Sequence, residues 1–399
     1  MAANTKTSRK AARYAVPVAV VGIAAATVAM VPAFANAGGP DLPKVTAQQL
    51  IEKVAASDVE QLSGTAKLTT DLGLPKIASG LLGGGGVTGG SANPEDKLAQ
   101  LANGSHTFRV AADGPDRQKL TFLDGKDEYS LIHNGADVWG YDSKSNEVFH
   151  EKNPEGAGKG TEHKTADRLA GSPQQIAQEI LKAAGPTTDI SVGDTAQVAG
   201  RDAYQLVLKP KQSGSTVGSV QIAVDAKNGV PLRVQLLSSQ GGKPIVDAGF
   251  TKVDFAKPSA DTFKFTPPKG AKVTEGLEGE EHGKAGKDEH WKALESFPGL
   301  DALTGGGNGE VKVLGEGWAT VARIDTGAGQ GLKELEKDKN APKEAQQFLN
   351  SLGDKVTGKF GEGRVLSTRL VNALITDDGK VYVGAVTKDA LVKAADSAK

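Results

Sequence analysis

The stretch VQIAVDAKNGVPLRVQL, residues 220–236, alternates apolar and polar side chains on either side of one turn. In each half the apolar residues recur with the period of two that is typical of a β-strand. They are Val220, Ile222 and Val224 before the turn and Leu232, Val234 and Leu236 after it. Gly229 in the turn can take the positive φ angle that a short hairpin loop requires. The stretch therefore predicts an antiparallel hairpin with one apolar and one polar face.

Similar runs flank this hairpin and predict a larger sheet. Residues 203–208 and 246–250 alternate in the same way, and shorter runs follow one another between residues 105 and 150. Asp124-Gly125 and Asn134-Gly135 separate some of the earlier runs and are typical of hairpin turns. Consecutive short strands joined by tight turns predict an antiparallel meander rather than alternating strands and helices.

Two helices are predicted to cover this sheet, which makes the fold class α+β. Thr46 and Gln49 form a capping box, and a helix should follow to about Glu60. Ser172-Pro173 begins a second helix with an N-cap and a proline at the first helical position, and Gly185-Pro186 ends it. Each helix carries an apolar stripe, so each needs a sheet to lie on.

A sheet with one apolar face must bury that face under a second layer or offer it to a ligand. Because alternate side chains of a strand share a face, one fixed position determines the rest of its strand. We expect this face to line a ligand cavity through Phe108, Val110, Leu120, Phe122, Tyr129, Leu131, Trp139, Tyr141, Tyr204, Leu206, Leu208, Val220, Ile222, Val224, Leu232, Val234 and Leu236. The alternative is that the same side chains form a packed core under the two helices.

The residue composition excludes several classes of catalytic and metal-binding site. The chain has 399 residues, more than one core usually organises, and no cysteine, which excludes disulfides, thiol catalysis and a lipid-attachment cysteine. It has no Gly-x-Ser-x-Gly motif. Its histidines do not pair at metal-binding spacing in the strand region, and His282 and His290 lie among glutamates in a charged linker. We therefore predict no catalytic residue, no metal site and no cofactor, in a protein that is not an enzyme.

The first 35 residues have the features of an export signal. Four basic residues precede an apolar run from about Ala15 to Val31, and Ala33-Phe34-Ala35 supplies a small-x-small cleavage site. The competing interpretation is an uncleaved membrane anchor, since the run approaches the length that spans a bilayer. In both cases the rest of the chain lies on the extracellular, cell-wall or periplasmic side. Removing the four positive charges leaves 43 basic against 48 acidic residues, which argues against a nucleic-acid partner.

Four motifs carry a family resemblance. Residues 134–142 read NGADVWGYD, and residues 200–206 and 224–232 read GRDAYQL and VDAKNGVPL. Residues 263–270 read FKFTPPKG. These segments resemble strands, turns and a closing element of the LolA-like lipoprotein carrier superfamily and of the related RseB/MucB periplasmic regulators. The resemblance covers roughly residues 41–273.

The resemblance implies a strongly curved, open antiparallel barrel over residues 41–273. Its apolar concave face would be covered by helices and would accept an acyl chain of a lipid or lipoprotein. After Val273 the sequence departs from the family, and its residues predict a charged, glycine-rich linker over residues 274–309 and a small α+β domain over residues 310–399. Two functions are open at this point. One is a carrier or sensor of acyl chains that works with a membrane-bound transporter, and the other is an RseB-like regulator that binds a membrane-bound signalling protein.

Overall fold

The computed structural model describes residues 39–73, 103–152, 184–275, 311–325, 353 and 355–398. The predicted export signal, all but the end of the helix predicted from Ser172 and all but the first two residues of the charged linker lie outside these residues. No helix among the described residues is long and apolar enough to cross a membrane.

Thirteen strands form the larger sheet. They are β1 (Gln61–Asp71), β2 (Asn103–Asp113), β3 (Arg117–Asp124), β4 (Asp127–Asn134), β5 (Asp137–Asp142), β6 (Glu147–Lys152), β7 (Thr188–Val192), β8 (Ala196–Val198), β9 (Arg201–Pro210), β10 (Val217–Asp225), β11 (Pro231–Ser238), β12 (Val246–Asp254) and β13 (Lys272–Glu275). Neighbours follow the order β13-β6-β5-β4-β3-β2-β1-β12-β11-β10-β9-β7, and β8 pairs with β9 outside this path.

The pairing in this sheet is antiparallel except where β13 runs parallel to β6. β13 and β7 stand at the two ends of the path, so the part of the sheet that the structure describes is open. The predicted meander is confirmed for β2 to β6, which pair in sequence order. The predicted hairpin turns are confirmed as well, since Gly125, Gly135 and Gly229 have φ angles of 61°, 65° and 77°.

A smaller sheet has six strands. They are β14 (Val311–Leu314), β15 (Val321–Asp325), β16 (Lys355–Gly358), β17 (Gly361–Leu366), β18 (Asn372–Thr376) and β19 (Lys380–Gly384). Their order is β14-β15-β19-β18-β17-β16. The fold of the described residues is therefore α+β and dominated by antiparallel sheet.

Within the described residues, two α-helices accompany the sheets. Helix α1 (Ala47–Ala55) has the predicted capping box, because the Thr46 hydroxyl accepts from the Gln49 N–H and the Gln49 side chain accepts from the Thr46 N–H. It ends five residues before Glu60, so the prediction that it reaches Glu60 is wrong. Helix α2 (Lys388–Ser397) begins after its N-cap Thr387 and buries Leu391 and Ala395 against the smaller sheet.

Candidate functional site

The strand register places most of the predicted lining residues on one face of the larger sheet. Ile222 pairs with Leu206 on one side and with Val234 on the other. Val220 likewise pairs with Leu208 and Leu236. Directly paired residues project from the same side of a sheet. These two rows therefore form an apolar strip across β9, β10 and β11.

The strip continues into the first half of the sheet. Val234 pairs with Ala248 of β12, and Ala248 pairs with Leu68 of β1. From Leu68 and Ala66 the same face passes through β2 to β4, where it carries Phe108, Val110, Leu120, Phe122, Tyr129 and Leu131. Neighbouring strands lie about 4.8 Å apart, so the five strands from β9 to β1 span about 19 Å. A single face of this sheet thus joins residues that are widely separated in the sequence.

Two buried clusters occupy this region. One contains Phe108, Phe122 and Tyr129 together with Ala66 and Phe250. The other contains Tyr204, Leu206, Val217, Val220, Ile222 and Val224 together with Leu50 and Ile51 of helix α1. Leu208, Val234 and Leu236 pack against the second cluster and are only half-buried. The apolar strip therefore has a covered part and a part that still meets solvent.

Three residues depart from the expected arrangement. Trp139 pairs with Ile132 and Tyr141 with Ser130, which places both on the opposite face from Leu131. Leu232 packs in the cluster of Phe108 rather than with Val234 and Leu236. The cause at Leu232 is a bulge, because Ala223 pairs with Arg233 whereas Val224 pairs with Pro231. The prediction that the whole set shares one face is wrong for Trp139 and Tyr141, and Leu232 lies in a different buried cluster from Val234 and Leu236.

Helix α1 and the smaller sheet cover part of the strip. Trp318, Leu370 and Ala385 pack against the cluster that contains Ile222. The Trp318 indole Nε1 donates to the Thr188 hydroxyl at 2.8 Å, and the Trp318 backbone N–H donates to Gln212 Oε1 at 2.9 Å. Such contacts join segments more than a hundred residues apart, and no local sequence pattern marks them.

Arg369 adds a polar contact between the two sheets. Its Nη1 lies 2.6 Å from Asp71 Oδ2, and its backbone N–H donates to the Leu72 carbonyl at 2.8 Å. A second guanidinium nitrogen donates to the Lys243 carbonyl. Ser215 and Val386 form an isolated β-bridge at the same junction. The smaller sheet is therefore fixed to the end of β1 and to the loop before β12.

A buried ion pair supports the hairpin that carries Ile222 and Val234. The Asp225 side chain is only 1% exposed. Its carboxylate pairs with Arg201, whose Nη2 lies 3.0 Å from Asp225 Oδ1. Burial raises the pKa of Asp225, but the hydrogen bonds from Arg201 and from the N–H groups of Asn228 and Lys227 lower it more. The net pKa of Asp225 lies below its ordinary value, so the carboxylate is charged at neutral pH.

His150 forms a cluster that sequence reasoning missed. Its side chain is 8% exposed, and its two ring nitrogens lie 2.7 Å from Glu275 Oε2 and 2.9 Å from Asp137 Oδ1. Its ring stacks on Trp139 with the centroids 3.6 Å apart. Glu275 belongs to β13, whose parallel pairing with β6 brings it beside His150. Asp137 and Glu275 come from different strands, and only the pairing of those strands with β6 brings them to His150.

Comparisons with known proteins give fold neighbours. No protein-family model and no curated protein matches the chain. Among solved structures, Pseudomonas aeruginosa MucB in its complex with MucA is 13% identical, with 88% of this chain and 96% of that chain covered and a TM-score of 0.39. An uncharacterised Thermus thermophilus protein is 14% identical, with coverages of 57% and 98% and a TM-score of 0.31.

A LolA superfamily protein from Nitrosomonas europaea is 11% identical, with 56% of this chain and 99% of that chain covered and a TM-score of 0.21. Likeness at these identities and TM-scores carries no statement about ligand or partner. The chain is similar to MucB-type and LolA-type proteins.

Proposed function

We propose that this protein is an exported carrier or sensor that binds the acyl chain of a lipid or lipoprotein, without catalysing a reaction. The observation that carries the proposal is the apolar strip across β9, β10 and β11. Its covered part packs against a helix of only nine residues and against side chains from the segments that flank the strands of the smaller sheet. In this proposal the larger sheet curves into an open barrel, and the apolar strip lines its concave side.

The half-buried margin of the strip is where an acyl chain would lie. Leu208, Val234 and Leu236 border the buried Val220 and Ile222 and leave apolar surface in contact with water. Covering such surface with acyl carbons is favourable by about 0.8 kcal/mol for each buried CH₂ group. An extended chain can therefore bind with useful affinity without a polar recognition motif.

Extraction of lipid from the exported, purified protein tests this proposal. Lipid would be removed from the purified protein with organic solvent and identified by mass spectrometry, and the emptied protein would be titrated with a fluorescent fatty acid. We expect a co-purified acyl lipid or saturable binding of the fatty acid. A protein that retains no lipid and binds no acyl probe would contradict the proposal.

The second candidate function is binding of a membrane-bound regulator. The smaller sheet favours it, because an acyl-chain carrier needs only the larger sheet. Its edge strand β14 exposes 61% of Val313, an unusual position for a large apolar side chain. A regulator could add a strand along this edge.

Cross-linking of the full chain to membrane proteins would test this second function. The Val313→Lys variant should lose the captured partner, whereas Val273→Lys should keep it, since Val273 is an exposed valine on an edge strand of the larger sheet. Equal capture by both variants and by the unmodified protein would count against a role for the smaller sheet's edge.

A further inference from the structure

A polar cleft of about 470 Å³ is lined mainly by residues whose side chains project from the face of the larger sheet opposite the apolar strip. Three cationic side chains line it, together with hydroxyl groups and two carboxylates. The lining consists of Ser63, Gly64, Thr65, Arg109, Val110, Ala111, Lys119, Thr121, Glu128, Lys252, Asp254 and Thr262. The acyl-chain proposal does not use this cleft.

The strand register explains how the cations converge. Thr65 pairs with Lys252 on one side and with Arg109 on the other, so the two cations flank one threonine. Lys119 occupies the same face of β3, two residues from Thr121, which pairs with Arg109. Diagonal neighbours of this kind have their Cα atoms about 7–8 Å apart, within reach of long side chains. The three long cationic side chains therefore surround a group of short residues on the same face of the sheet.

Short side chains form the floor of the cleft. Ser63 pairs with Ala111, and Ala111 pairs with Lys119. Beside them, the buried Thr121 hydroxyl lies 2.9 Å from the Ser130 hydroxyl. Ser63 and Thr65 can donate hydroxyl hydrogen bonds upward from the sheet. The small floor residues leave the space that the cationic side chains enclose.

Several arginines of the same sheet have carboxylate partners. Arg117 pairs with Asp113, Arg201 with Asp225 and Arg233 with Asp247. Within the described residues no hydrogen bond or ion pair is formed by the side chains of Arg109, Lys119 and Lys252. Asp254 accepts from the Ala256 N–H instead. Cations held together without partners favour an anion between them.

We propose that this cleft binds a phosphate group. A phosphate fits between the three cations, can accept from the Arg109 guanidinium in two-point geometry and can accept from Ser63 and Thr65. Two sources share this chemistry, free phosphate compounds and the headgroup of an anionic phospholipid. Glu128 and Asp254 lower the affinity of the cleft for phosphate, because their negative charges repel the anion. This inference does not depend on acyl binding, since the two sites occupy opposite faces of the sheet.

Isothermal titration of the purified full chain with inorganic phosphate tests the first source. We expect the affinity to fall by about tenfold in Arg109→Gln and in Lys252→Gln, the loss of one charge-assisted hydrogen bond each. Glu128→Gln should raise the affinity, because it removes an opposing charge. Lys269→Gln, which changes an exposed lysine outside the cleft, should leave the affinity unchanged. Circular dichroism would check that each variant is folded.

Flotation with vesicles tests the second source. Vesicles of phosphatidylglycerol in phosphatidylcholine would be compared with vesicles of phosphatidylcholine alone. Binding of inorganic phosphate that depends on Arg109 and Lys252 supports a site for free phosphate. Binding only to the anionic vesicles, with the same dependence, supports a headgroup site. If neither ligand binds, or if Lys269→Gln weakens binding as much as Arg109→Gln does, the proposal is overturned.

Discussion

Asp225 connects the hairpin loop to the rest of the larger sheet. Its Oδ1 accepts from the N–H groups of Lys227 and Asn228 at 2.9 Å each, which shapes the loop. Its carboxylate also pairs with Arg201, whose guanidinium carbon lies 4.7 Å from the centre of the Phe255 ring. One buried carboxylate therefore organises the loop and the start of β9 together.

Replacing Asp225 by Asn should destabilise the protein by about 3 kcal/mol, because Arg201 loses its charged partner. The replacement should also alter the pH dependence. A carboxyl group whose pKa is lowered in the folded state contributes stability above its unfolded pKa of about 3.9, and this stability is lost as the pH falls through the folded pKa. The unmodified protein should thus lose more stability than Asp225→Asn when the pH falls from 7 to 3.

Urea denaturation at the two pH values measures both effects. Asp189→Asn is a matched control, because Asp189 is an exposed residue on β7. It should change the free energy of unfolding by less than about 0.5 kcal/mol. An Asp225→Asn protein as stable as this control at pH 7 would show that the ion pair makes no net contribution.

At the scale of elements, the sequence predicts the turns of the larger sheet more completely than it predicts which side chains share a face. Alternating apolar residues and Gly229 are local signals, and they predicted the hairpin of β10 and β11. The bulge at Leu232 depends on how two strands pair, and a single strand does not encode it. The facing of Trp139 depends in the same way on the pairing of β5 with β4.

Gly229 shows how a turn also positions helix α1. Its φ angle is 77°, and a Cβ atom there would lie 2.3 Å from the Lys53 carbonyl oxygen of the helix. Gly125 has a similar φ of 61° but no atom within 4 Å of the corresponding Cβ position. A comparison of the two glycines therefore distinguishes the cost of the left-handed backbone from the cost of the contact with helix α1.

Gly125→Ala should cost about 1–2 kcal/mol through its left-handed backbone alone. Gly229→Ala should cost about 2 kcal/mol more, because helix α1 must also shift and disturb Leu50 and Ile51. Thermal denaturation of both variants makes the comparison. Equal losses of stability would mean that the hairpin loop does not hold the helix in place.

At the scale of the whole molecule, the candidate site was only partly predictable. Periodicity identified its apolar face on β9 to β11, because that information lies within each strand. The cover supplied by Trp318 and Leu370 could not be predicted, since it depends on how the smaller sheet packs against the larger one. The cluster of Arg109, Lys119 and Lys252 was missed because it forms only after β1, β2, β3 and β12 are aligned.

Arg369 should hold the two sheets together. In Arg369→Gln the ion pair with Asp71 is lost, which should lower the stability by about 1 kcal/mol because Asp71 is 53% exposed. Hydrogen–deuterium exchange should accelerate at the Arg369 N–H, whose acceptor is the Leu72 carbonyl. Lys393→Gln removes an exposed charge from helix α2 and is the control. Unchanged exchange in Arg369→Gln would mean that the junction does not need this side chain.

The central claim is that the apolar strip binds an acyl chain, and titration of a fluorescent fatty acid tests it most directly. Val234→Glu places a charge on the half-buried margin of the strip. Gln221→Glu places the same charge on the opposite face and keeps the acceptor for the Gln205 amide. We expect both variants to fold, Gln221→Glu to bind like the unmodified protein and Val234→Glu to bind at least about tenfold more weakly. Folded Val234→Glu protein that binds the fatty acid as tightly as Gln221→Glu would contradict the account.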